Sequence, residues 1–70
     1  MKSNFEAFCD LTAENYNLLD KIARLKRAID CTMVASERQE ACMIQQLVAM
    51  RRYSDILYER INDLLDNEVF

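Results

Sequence analysis

The stretch LTAENYNLLDKIARLKRAID, residues 11–30, decides the fold. Leu11, Asn15, Leu18, Ile22, Leu25 and Ile29 recur at alternating spacings of four and three, which lines them along one face of a helix as heptad a and d positions. Phe8 extends the face on one side and Thr32 on the other, while Leu19, Ala28 and Met33 widen it beyond a two-position seam. A stripe of that width calls for more than one neighbouring helix.

A second stripe with the same spacing lies in MIQQLVAMRRYSDILYERINDLL, residues 43–65. Met43, Leu47, Met50, Ser54, Leu57, Ile61 and Leu64 form it, flanked by Ile44, Tyr53, Tyr58 and Leu65. The 70 residues contain no glycine and no proline, so nothing breaks either helix internally. Between the stripes, Cys31-Thr32-Met33-Val34-Ala35-Ser36 lowers helix propensity through two β-branched residues and a serine. Ser36-Glu37-Arg38-Gln39 then reads as a capping box that starts a new helix.

Two starts are written near the N-terminus. Ser3-Asn4-Phe5-Glu6 is a capping box, and Thr12 offers a second cap with Leu11 and Tyr16 as its hydrophobic staple. Thr12 is useful as a cap and unhelpful in a helix interior, which favours a break near Asp10. The expected order is a short segment 3–10, a helix over 12–32 and a helix over 36–67, all within one domain spanning 1–70.

The expected fold is therefore all-α: a coiled-coil-like antiparallel hairpin with a short leading helix, assembling into a helical bundle. In such a hairpin, residue numbers in contact add up to about 70, which sets Asn15 level with Ser54. A polar pair in an apolar seam satisfies itself and penalises slipped registers. The core or self-association surface is assigned to Leu18, Ile22, Leu25, Ile29, Leu47, Met50, Leu57, Ile61 and Leu64. Phe5 and Phe8 would meet Val69 and Phe70 at the open end.

Composition narrows the function. Hydrophobic residues make up 51% of the chain, too many for disorder, and no apolar run is long enough to span a membrane. A chain this short buries only about 60% of its unfolded surface, so it gains from a second copy or a partner. The first residues form neither a signal peptide nor a transit segment, which sets the cytoplasm as the expected location.

Cys9, Cys31 and Cys42 are odd in number and include no C-x-x-C pair. Cys31 and Cys42 flank the turn and are the one pair the fold could join; otherwise each thiol is expected to pack as a small hydrophobe. With no histidine, a metal site would need all three thiols and a carboxylate, so neither metal nor cofactor is expected. No nucleophile motif or glycine-rich loop accompanies the acidic residues, which argues against an enzyme.

Net charge is −3. Lys21, Arg24, Lys26 and Arg27 gather in two turns, and Asp20 with Arg24 or Lys26 with Asp30 can pair at i,i+4 as on any solvated face. Arg24, Arg27, Arg51, Arg52, Tyr53 and Tyr58 are the candidate partner surface, because arginine and aromatic residues are enriched at binding hot spots.

The reading that follows is a small non-enzymatic protein-protein interaction module, acting as adaptor, chaperone-like subunit or inhibitor of a partner protein. Its partner is itself, as a homodimer, or another protein. A nucleic-acid-binding or transcriptional regulatory protein is the alternative, weakened by the acidic balance and by the lack of a basic recognition helix after a short turn. Size and acidity also suit a phage or plasmid inhibitor of a host system.

Overall fold

The computed structural model describes residues 3–31 and 36–67, and within them two long helices, α1 (Asn4–Asp30) and α2 (Glu37–Asp66), pack against each other as an all-α hairpin. Both helices begin at the capping serines. Ser3 and Ser36 hold extended backbone, and their hydroxyls accept hydrogen bonds from the amides of Glu6 and Gln39, each at 3.1 Å. Each cap satisfies one amide that the first turn leaves without a partner.

The expected break at Thr12 is absent, and α1 runs through it. The Thr12 hydroxyl donates back to the carbonyls of Phe8 at 2.9 Å and Cys9 at 3.0 Å, so the side chain is satisfied inside the helix. Packing decides the outcome. A helix that started at Thr12 would take Phe8 off the seam, where it packs against the cluster containing Leu57 and Ile61. Tyr16 is accordingly no staple for Leu11 and stands 76% exposed.

The C-terminal ends are closed differently. At the end of α1 the Cys31 amide donates to the Arg27 carbonyl, with the Arg27 cation in the last turn suiting the negative end of the helix dipole. The last turn of α2 has no basic residue. There the Asn67 side-chain amide donates to the Asp63 carbonyl at 2.7 Å and to its carboxylate at 3.1 Å. The expected turn at 32–35, including Met33, and the expected packing of Val69 and Phe70 lie outside the described residues.

The core is one row deep. Leu11, Leu18, Ile22, Leu57 and Ile61 are buried, Leu57 completely, with Phe8, Leu47, Met50 and Leu64 packed against them. Leu25, Ile29 and Met43 are half-buried toward the turn. The molecule measures 48 × 19 × 14 Å, and its described residues form two rods side by side in a single layer. Cys9, Cys31 and Cys42 are exposed and joined in no disulfide, contrary to the expected burial. Cys9 and Cys42 each sit one residue off the seam, beside Phe8 and Met43, and Cys31 caps α1.

Because Thr12 acts as an interior residue, Thr12→Ala is expected to change unfolding free energy by no more than about 0.5 kcal/mol, better helix propensity offsetting the lost hydroxyl bonds. A cap would behave otherwise. A loss of about 1 kcal/mol or more in urea unfolding, with reduced helical circular dichroism, would restore the break at this position.

Candidate protein-interaction face

The seam contains one buried polar layer. Ser54 donates to Asn15 Oδ1 at 2.8 Å, and each residue is only 4% exposed. No buried side-chain nitrogen or oxygen among the described residues lacks a hydrogen-bond partner. A slip of either helix would set Asn15 against leucine, isoleucine or methionine and strand its amide.

This register also orders the flanks. One residue back from the polar pair on each helix, the Tyr53 hydroxyl donates to Glu14 Oε2 at 2.7 Å. The same side carries Ala7, Asp10 and Arg60 around a shallow groove with Leu11 and Glu14, and Glu59 and Asp63 border its neighbour. It is a polar flank. On the opposite side, Thr12, Tyr16 and Leu19 of α1 meet Tyr58 of α2 around an open depression of about 260 Å³ floored by Asn15 and Ile61.

Heptad spacing extends that second flank along the whole hairpin. Phe5 lies two heptads before Leu19, Ile44 lies two heptads before Tyr58, Leu65 lies one heptad after it, and Val48 follows Ile44 by one turn. All are exposed, from 41% at Leu19 and 46% at Ile44 and Leu65 to 60% at Phe5 and 62% at Val48. With Tyr16 and Tyr58, they put seven of the nine large exposed hydrophobic side chains among the described residues on one side of the hairpin; Tyr53 and Ile56 lie elsewhere. Apolar side chains gathered on one side, rather than scattered singly, mark a surface able to meet another chain.

The six residues first considered as a partner surface do not form one patch. Arg51 and Tyr58 belong to the apolar flank and Tyr53 to the polar flank, while Arg24, Arg27 and Arg52 point away from the seam. Arg24 is held by Asp20 at 2.8 Å in an exposed i,i+4 pair, worth only a few tenths of a kcal/mol. Val48 and the Glu14–Tyr53 bond were not singled out from the sequence, and Tyr16 was singled out only as a staple for Leu11; the register that pairs Asn15 with Ser54 is the signal that finds the Glu14–Tyr53 bond. Among the described residues no cluster of cysteine and carboxylate side chains could hold a metal, and no helix is long and apolar enough to cross a membrane.

The Glu14 carboxylate raises the Tyr53 phenol above its ordinary 10.0, first by accepting its hydrogen bond, then with desolvation and charge repulsion adding to the effect and Arg60 opposing it. The bonded, protonated phenol is therefore intact below pH 10 and is lost as pH rises through the folded value. A phenolate absorbance titration of wild type minus Tyr53→Phe should give a midpoint above 10, and Glu14→Ala should bring it back toward 10. An unchanged midpoint in Glu14→Ala would contradict the contact.

For the buried pair, Ser54→Ala is expected to cost about 1–3 kcal/mol, since it leaves a buried acceptor without its donor. A double-mutant cycle with Asn15→Ala, measured by urea unfolding at one protein concentration, should give a coupling of about 0.5–3 kcal/mol. Strict additivity would contradict the layer.

Comparison with curated proteins gives no significant match, and neither does comparison with solved structures. A family model does match: the one described as Sequestin covers residues 9–63, which runs from the first turns of α1, through the polar layer, to Asp63 in α2, one residue short of the last seam position, Leu64. The match spans well over half of the chain and takes in nearly all of the helix-helix seam, so the protein belongs to the Sequestin family.

Proposed function

We propose that this protein is a small non-enzymatic binding protein that holds a partner protein against the apolar flank of its hairpin. The observation that carries the reading is the segregation of Phe5, Tyr16, Leu19, Ile44, Val48, Tyr58 and Leu65 onto one exposed side. Aromatic and aliphatic side chains fixed on rigid helices lose little conformational entropy on binding, and they bury well against another apolar face. The family name adds support, because it describes capture rather than chemistry.

Within that reading the module works as an inhibitor, adaptor or chaperone-like subunit by covering a surface of its partner. The cytoplasm is the compartment that suits its three exposed thiols. An origin in a phage or plasmid that targets a host system fits the same mechanism. Nucleic-acid binding draws less support. Lys21, Arg24 and Arg27 share one side of α1, but Arg24 is paired with Asp20 and the chain's net charge is −3, a weak electrostatic footprint for a phosphate backbone.

Affinity capture by the tagged full chain, with binding then measured between purified components, tests the proposal. The expected result is a stoichiometric protein partner whose affinity changes less than about threefold between low and high salt, as apolar association does. The partner should be lost with Val48→Glu and kept with Arg52→Glu. Recovery of nucleic acid with a steep decline in salt, or of no partner at all, would overturn the reading.

A further inference from the structure

We draw no further inference here: the strongest candidate, the open depression on the apolar flank walled by Tyr16, Leu19 and Tyr58 above Asn15 and Ile61, carries nothing because nothing in the structure shows what covers it and the buried Asn15 beneath it is already bonded to Ser54.

Discussion

The hydrogen bond from Ser54 to Asn15 is the contact on which the rest of the molecule depends. Apolar seams alone tolerate sliding, because leucine against methionine differs little from leucine against isoleucine one layer away. A buried amide does not tolerate it. By allowing one alignment of α1 against α2, the pair decides which side chains share each flank. Glu14, Tyr53 and Arg60 fall together on one side, and Leu19, Tyr16 and Tyr58 on the other.

That sorting links fold to function. Two helices side by side cannot bury a stripe wider than a and d, so whatever widens the stripe must face outward. Here the surplus lies almost wholly on one flank. A surface that leaves Val48 62% exposed and Tyr16 76% exposed is costly for a protein acting alone and useful for one that captures another chain. Membership in the Sequestin family points the same way.

Much of this was legible in the chain. The four-three spacing, the missing breakers and the two serine caps specify two helices, and the position of the turn brings residue 15 level with residue 54. Thr12 shows where reading by local pattern stops. Its capping signature is genuine as a local preference, but its hydroxyl finds carbonyls one turn back, and burial of Phe8 against the seam favours the continuous helix. Tyr16 was misread for the same reason, as a staple to a helix start that does not form. The six-residue partner surface grouped side chains by type and nearness in sequence, whereas a helix turns about 100° per residue and separates Arg51 from Arg52 and Tyr53 from Tyr58.

The register is the central claim, and interhelical nuclear Overhauser contacts within one chain measure it most directly. The account predicts contacts between Asn15 and Ser54, with the Tyr58 ring near Thr12 and Leu19 and the Tyr53 ring near Glu14. Contacts from Asn15 to Met50 or Leu57 in place of Ser54, or a Tyr53 ring found beside Leu19, would show a different alignment of the helices and contradict both the polar layer and the apolar flank built on it.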